Sequence, residues 1–182
     1  DNDKANIILF TSGTTALSKA VMLSQRNIAS NINSMNAVEK FYDDDVNLLM
    51  LPFHHTFAST GIIIMLNNGV KNVFCDGLRH IQENMKEYKV SVFVCVPLIL
   101  EAMHKKVLAG IKKQGKEQTV RRAQKLSNAL LKIGIDVRRK LFKDIINNFG
   151  GNMRFIISGA AAIDKNVAKD FNEWGILAIQ GY

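Results

Sequence analysis

The sequence of 182 residues has little cysteine, little proline and no long apolar run. Its two cysteines, Cys75 and Cys95, cannot supply a disulfide framework or a four-ligand metal site, and they favour a reducing, cytosolic setting. No window of about 18 apolar residues exists, and the first residues are acidic, so the sequence shows neither a spanning helix nor a secretory signal. Because residue 1 is not Met and an apolar run closes on Tyr182, we expect an internal piece of a longer protein.

What is present is a globular composition with 47% hydrophobic and 22% charged residues, which excludes disordered and collagen-like chains. The net charge of +8 is concentrated in one segment. Residues 99–148 hold 13 Lys and Arg but only 4 Asp and Glu, whereas the rest of the chain is close to neutral. The positive net charge is therefore a property of this segment and not of the whole protein surface.

Apolar strands alternate with amphipathic helices along the chain, which predicts an α/β fold with a mostly parallel sheet flanked by helices. We predict helices that begin after Ser24 and over 57–67, 79–88 and 164–174, and a helical region over 98–149 with breaks at Gly115 and Gly134. The predicted strands are 7–11, which we expect to be buried, and 21–23, 46–51, 70–74, 91–96, 153–157 and 176–179.

The segment from Thr11 to Lys19 carries the most chemistry. It contains five hydroxyl side chains, one glycine and one lysine: Thr11, Ser12, Gly13, Thr14, Thr15, Ser18 and Lys19. Such a loop offers many hydrogen-bond donors and one positive charge, so anionic oxygens are its natural partners. It lacks the second glycine and the hydroxyl after lysine of a Walker loop, which excludes an ordinary nucleoside triphosphatase. A polar surface turn is the alternative on composition alone.

Three ordered blocks resemble the adenylate-forming family of acyl-CoA synthetases, luciferases and peptide-synthetase adenylation domains. The run from Ile8 to Val21 is similar to its signature Thr-Ser-Gly-Thr-Thr-Gly-x-Pro-Lys-Gly-Val. The run from Leu51 to Phe57 resembles its Pro-x-x-His block at the acyl pocket. The run from Ile157 to Ile163, together with the closing Gln-Gly-Tyr, resembles its adenine-binding blocks.

The resemblance implies a role for each matching residue. The cradle for the ATP phosphates and pyrophosphate would be Thr11, Ser12, Gly13, Thr14, Thr15 and Lys19. His55 would lie near the attacking carboxylate, with Phe57 toward the acyl pocket, and Gly159, Ala160, Ala161, Gly181 and Tyr182 would hold the adenine. The alternatives are a hydrogen-bonded His55 at a strand end and an ordinary strand-to-helix turn at 157–163. We expect a structural role for His54 and surface positions for His80 and His104.

The chain departs from the family pattern at several positions. Ala16, Ala20 and Ala160 stand where the family has glycine, and Ser18 and Ala162 where it has proline. If those glycines use positive φ, each alanine costs on the order of 1 kcal/mol. These departures have two interpretations: the sequence has diverged and kept its activity, or it has lost part of its activity. We favour divergence because the hydroxyl side chains and Lys19 remain.

The resemblance covers residues 1–182 as part of one AMP-binding N-terminal domain. The family's Mg²⁺-binding Glu, its ribose-binding Asp and its small C-terminal domain fall outside this range, so we assign no metal ligand here and expect no turnover from this chain alone. The implied reaction joins a fatty acid and ATP into an acyl-adenylate and pyrophosphate, followed by thioester formation with CoA. The long helical region indicates the long-chain fatty acyl-CoA synthetase branch. A non-catalytic nucleotide- or acyl-binding module and an aryl- or amino-acid-adenylating enzyme are the alternatives.

The basic segment 99–148 has three interpretations. We favour a helix that packs Leu126, Leu130, Val137 and Leu141 inward while Arg121, Lys125, Lys132 and Arg139 stay in solvent. Peripheral contact with an anionic membrane is the second interpretation. Nucleic-acid binding is disfavoured because no aromatic residues are interleaved for stacking. The sequence predicts no oligomeric state.

Overall fold

The computed structural model describes residues 2–11 and 19–181, with the side chain of Thr11 left out. The chain divides into two compact units, residues 1–44 with 51–72 and residues 45–50 with 73–182. The strands are β1 (Ala5–Thr11), β2 (Lys19–Ser24), β3 (Val46–Leu49), β4 (Lys71–Phe74), β5 (Val92–Cys95), β6 (Phe155–Ser158) and β7 (Leu177–Gln180). The helices are α1 (Gln25–Val38), α2 (Thr56–Asn67), α3 (Ile81–Glu87), α4 (Pro97–Lys113), α5 (Glu117–Leu131), α6 (Arg138–Leu141), α7 (Lys143–Asn147) and α8 (Lys165–Glu173). A 3₁₀ turn, Leu78–His80, precedes α3.

The first unit is built around the antiparallel pair β1–β2 and helices α1 and α2. Ser24 caps α1 because its hydroxyl accepts from the Asn27 backbone N–H at 3.3 Å, while the Asn27 side chain accepts from the Ser24 backbone at 2.9 Å. The expected burial of the first strand is wrong in this structure: Phe10 is 73% exposed. A two-stranded ribbon has one face to pack, and alternate residues of β1 point away from it.

The second unit contains β3, β5, β6 and β7 of the central sheet, whose strand order is β4-β3-β5-β6-β7. Strands β3, β5, β6 and β7 pair in parallel, and every residue of β5 and β6 is buried. This arrangement confirms the predicted α/β class, since strands buried on both faces read as continuous apolar runs. The antiparallel β1–β2 pair, which is separate from this sheet, is the part that the prediction missed.

A buried polar cluster ties the amino ends of three strands together. Asp45, 3% exposed, accepts hydrogen bonds from the Ser91 hydroxyl at 2.6 Å and from Arg154 Nε at 3.0 Å, and its second oxygen is paired with the same guanidinium. A buried carboxylate needs such partners.

Helices α4 and α5 confirm the predicted breaks at Gly115 and Gly134, and the predicted solvent positions of Arg121, Lys125 and Lys132 are correct. Of the four apolar residues predicted to pack inward, Leu130 and Val137 are half-buried, and the other two are exposed. Leu126 and Leu141 are 54% and 43% exposed, whereas Ala123, Gln124 and Ser127 turn inward on α5. The packed face is mixed: Val120 and Ala123 pack against the core, while Gln124 and Asn128 donate to Asp170 and Glu173 on α8.

The predicted surface position of Arg139 is correct, and its guanidinium also donates to the backbone carbonyls of Met153 and Gly175. The predicted surface position of His104 is wrong. His104 is buried, bonded to Asp170 at 2.7 Å and stacked on Trp174. The predicted surface position is correct for His80, whose ring faces solvent beside Glu83.

Candidate functional site

The predicted phosphate loop connects the two strands of the β1–β2 ribbon. Thr11 pairs with Lys19 in the antiparallel register, so both ends of the loop are held by backbone pairing. Lys19 is exposed as the first residue of β2. Ser12, Gly13, Thr14 and Thr15, with Ala16 and Ser18, lie outside the described residues.

Ala20, one of the alanines at a family glycine position, lies in regular strand opposite Phe10. It is not among the residues with positive φ in the described part of the chain. An L-residue adopts this extended conformation without strain. The expected cost of alanine at this position is therefore absent.

His55 is the N-cap residue of α2, with extended backbone at φ −94° and ψ 136°. Its backbone N–H donates to the Pro52 carbonyl at 3.1 Å, and its carbonyl accepts from the Ser59 N–H at 3.0 Å. The ring is exposed and lies 4.1 Å from the ring of His54. These backbone bonds fix the residue, so the imidazole is held at the helix start and is accessible to a ligand. Phe57, in the first turn of the same helix, is half-buried.

The adenine-binding blocks meet at the carboxyl edge of the parallel sheet. Cys95, Ser158 and Gln180 end three neighbouring strands in register. The Gly159 N–H donates to the Cys95 carbonyl at 3.1 Å, and the Gly181 N–H donates to the Ser158 carbonyl at 2.8 Å. Ligands of open α/β sheets bind at this edge.

A side-chain bond links the same two blocks. The amide oxygen of Gln180 accepts from the Ile163 backbone N–H at 3.1 Å. The structure thus places Gly159 and Gly181 just beyond the ends of two neighbouring strands. Tyr182 lies outside the described residues.

Ala160 is held at φ +69°, in the left-handed region that glycine adopts without penalty. The residue is exposed and directly follows the buried Gly159. The positive φ explains why the family has glycine at this position. The alanine of this chain carries backbone strain of roughly 1–2 kcal/mol there.

Two further side chains at this edge, Cys95 and Ser158, have no site role predicted from the sequence. Burial raises the pKa of the Cys95 thiol to about 12, which favours the protonated thiol at neutral pH. The Ser158 hydroxyl is fully buried and has no hydrogen-bond partner among the described residues. In the sequence, only its position one residue before Gly159, at a strand end, indicates that Ser158 lies at this edge.

Three comparisons with known proteins agree with this geometry. The pattern of the AMP-binding enzyme family matches residues 1–182. The chain is 30% identical over 175 residues to long-chain-fatty-acid–CoA ligase 1 of Cavia porcellus, covering 91% of this chain and 25% of that protein. It is 31% identical over 179 residues to long-chain-fatty-acid–CoA ligase 5 of Mus musculus, with coverages of 91% and 26%. The chain thus spans about a quarter of the length of these relatives.

Solved structures show the same fold. The inhibitor-bound N-terminal domain of FACL13 from Mycobacterium tuberculosis aligns with a TM-score of 0.66 at 21% identity, over 96% of this chain and 35% of that one. A malonyl-CoA ligase ternary product complex with methylmalonyl-CoA and AMP bound aligns with a TM-score of 0.68 at 16% identity, over 100% and 34%. From the family match along its whole length, the chain belongs to the AMP-binding enzyme family.

Proposed function

We propose that this chain is part of an ATP-dependent ligase that activates a fatty acid through an acyl-adenylate and transfers the acyl group to CoA. The observation that carries the proposal is the carboxyl edge, where the bonds from Gly159 to Cys95 and from Gly181 to Ser158 bring two motif blocks together. The long-chain ligases among the relatives support a fatty acid as the substrate.

In the proposed first step, a carboxylate oxygen attacks the α-phosphorus of ATP, and the bond from that phosphorus to the bridging oxygen breaks. Pyrophosphate leaves with the bonding electron pair. Thr11, Ser12, Gly13, Thr14, Thr15 and Lys19 stabilise the charge that develops on the phosphates, by donated hydrogen bonds and one cation. His55 orients the carboxylate, and Phe57 faces the acyl chain.

For the base of ATP, Gly159, Ala160 and Ala161 give the adenine a flat backbone surface, while Gly181 permits close approach and Tyr182 stacks on the base. The exposure of Ala160 and Ala161 at the sheet edge supports this role.

Mg²⁺ neutralises phosphate charge in such reactions. In residues 2–10 and 19–181, no three His, Cys, Asp or Glu side chains gather into a metal site. We assign no metal ligand and no contact to CoA to the residues of this chain.

The test is carboxylate-dependent exchange of pyrophosphate into ATP, measured on the complete reading frame that contains this chain. We expect exchange that is strongest with long-chain acids. A maximum with aromatic or amino acids instead would support the aryl- or amino-acid-adenylating alternative.

Lys19→Gln tests the phosphate role directly. Removing one charge-stabilising group lowers the exchange rate by about 10²-fold or more, whereas Lys4→Gln, at another exposed lysine, leaves it unchanged. Equal exchange in the two variants contradicts the role of Lys19.

A non-catalytic binding module of the same fold is the second candidate, because Ala160 is strained at a family glycine position. ATP binding without exchange for any acid would favour it over the ligase.

We also propose a cytoplasmic location with peripheral contact to an anionic membrane through residues 99–148. Basic side chains of this segment border exposed aliphatic ones, with Lys132 beside Ile133, which is 70% exposed. No helix in the described part of the chain is both long and apolar enough to cross a bilayer. The two cysteines are free thiols, in keeping with a reducing compartment.

A further inference from the structure

Helices α3, α4, α5 and α7, with the end of α6, surround a cavity of about 530 Å³ in the second unit, here called the helical cavity. Its volume lies in the range of small-molecule sites. None of the residues assigned above to ATP or the acyl group lines it. Its apolar floor consists of Val107, Ile111, Val120, Phe142 and Ile145.

Gly110 of α4 lines the cavity and leaves it open. A Cβ placed there would meet no atom within 4 Å outside its own helix backbone. Glycine inside a helix costs about 1 kcal/mol relative to alanine. The residue thus sacrifices helix stability at the point where a side chain would occupy the space.

The rim of the cavity is positively charged. Lys86 of α3, Lys106 of α4 and Lys116 before α5 line it, whereas Asp144 is the single acidic residue in the lining. The ion pairs found among residues 2–10 and 19–181 involve none of these three lysines. Three cations from separate elements therefore face the same opening without a carboxylate partner in the described part of the chain.

We propose that the helical cavity binds an anion with an apolar chain, whose tail lies on the aliphatic floor and whose head group is held by Lys86, Lys106 and Lys116. Apolar burial provides affinity, and the lysines select a negative head group over a neutral one. Carboxylate and phosphate head groups share this chemistry. The site is independent of the proposed ligase reaction.

The experiment is calorimetric titration of the complete protein, without ATP, using octanoate, octyl phosphate and 1-octanol. Gly110→Leu fills the cavity, and Ala109→Leu adds the same side chain one residue earlier at an exposed position outside the lining. Because an acyl pocket would also bind these probes, the difference between the two variants isolates the helical cavity.

We expect Gly110→Leu to remove one binding event, or to weaken it at least about tenfold, while Ala109→Leu binds like the wild type. Lys106→Gln should weaken both anions several-fold and leave 1-octanol unchanged, with Lys105→Gln as its exposed control outside the lining. The tighter of the two anionic probes identifies the head group.

Equal binding by Gly110→Leu and Ala109→Leu overturns the proposal, as does 1-octanol binding as tightly as the anions. Absence of probe binding in the wild type overturns it too, and this is the result expected if another segment of a longer chain fills the cavity. Gly110→Leu should raise the thermal midpoint through helix propensity, so lost binding in a stabilised variant is not a folding defect.

Discussion

Ala160 is the residue at which local strain and the proposed adenine site coincide. Its φ of +69° is costly for alanine and free for glycine. We expect Ala160→Gly to raise the free energy of unfolding by about 1 kcal/mol in urea denaturation. Ala161→Gly, next to it and without the positive φ, should lower it by about 0.5 kcal/mol through unfolded-chain entropy. A destabilised Ala160→Gly would contradict the strain.

The alanines at family glycine positions also show what sequence can predict at single residues. The pattern located Ala20 and Ala160 as equivalent departures, yet one lies in extended strand and the other in left-handed backbone. Residue type alone cannot separate them, because φ at a turn depends on how the strand end meets the next element. The burial of His104 did leave a signal, since it shares the i, i+3, i+4, i+7 spacing of Leu100, Met103 and Val107.

At the scale of elements, Gly150 fixes the approach of the α7–β6 turn to the end of α3. Its φ is +89°, and a Cβ there would lie 2.2 Å from the Met85 carbonyl oxygen. Gly134 has a similar φ of +81° but open space around it. Gly150→Ala should therefore cost roughly 3 kcal/mol or more of unfolding free energy, and Gly134→Ala about 1 kcal/mol. Denaturant titration of both variants measures the difference in unfolding free energy. Similar losses of stability would show that the backbone around Met85 shifts at little cost.

Asp170 joins three helices, since its carboxylate on α8 accepts from His104 on α4 at 2.7 Å and from Gln124 on α5 at 3.2 Å. Removing it leaves inward-facing donors without a partner. We expect Asp170→Ala to lower the unfolding free energy by about 2 kcal/mol. Lys169→Ala, at an exposed neighbour, should change it by less than about 0.5 kcal/mol. A small effect of Asp170→Ala would mean that water replaces the carboxylate.

Strand and helix order followed from the sequence because the buried strands are continuous apolar runs bounded by Pro52, Pro97 and several glycines. The inward face of α5 followed only in part, because amides as well as apolar residues pack there. Hydrophobic spacing predicts both Leu126 and Leu130 on the inward face, whereas the structure leaves Leu126 exposed and uses Gln124 and Asn128 to bond α8. Such pairings join residues about 45 positions apart, which no local pattern contains.

For the whole molecule, the uneven charge is the property with the clearest consequence. The positive excess lies in residues 99–148, as the sequence located it, and the structure adds aliphatic side chains at the surface of the same segment: Leu126, Ile133 and Ile135 are 54%, 70% and 48% exposed. Isolated exposed aliphatic residues are ordinary, but here Leu126 and Ile133 directly follow Lys125 and Lys132. This combination is typical of surfaces that lie on anionic lipid.

We therefore expect the complete protein to co-sediment with vesicles that contain phosphatidylserine, and less as salt rises, because screening weakens the attraction. Each basic residue near the lipid contributes about 1 kcal/mol, so Lys125→Glu with Lys132→Glu should reduce binding by more than about tenfold. Ile133→Ser should weaken it further through lost apolar contact, whereas Val38→Ser, at an aliphatic residue 67% exposed on α1, serves as its control. Equal binding to neutral vesicles would assign the attraction to apolar contact alone, and binding that ignores both salt and the two charge reversals would remove the basic segment from the membrane contact altogether.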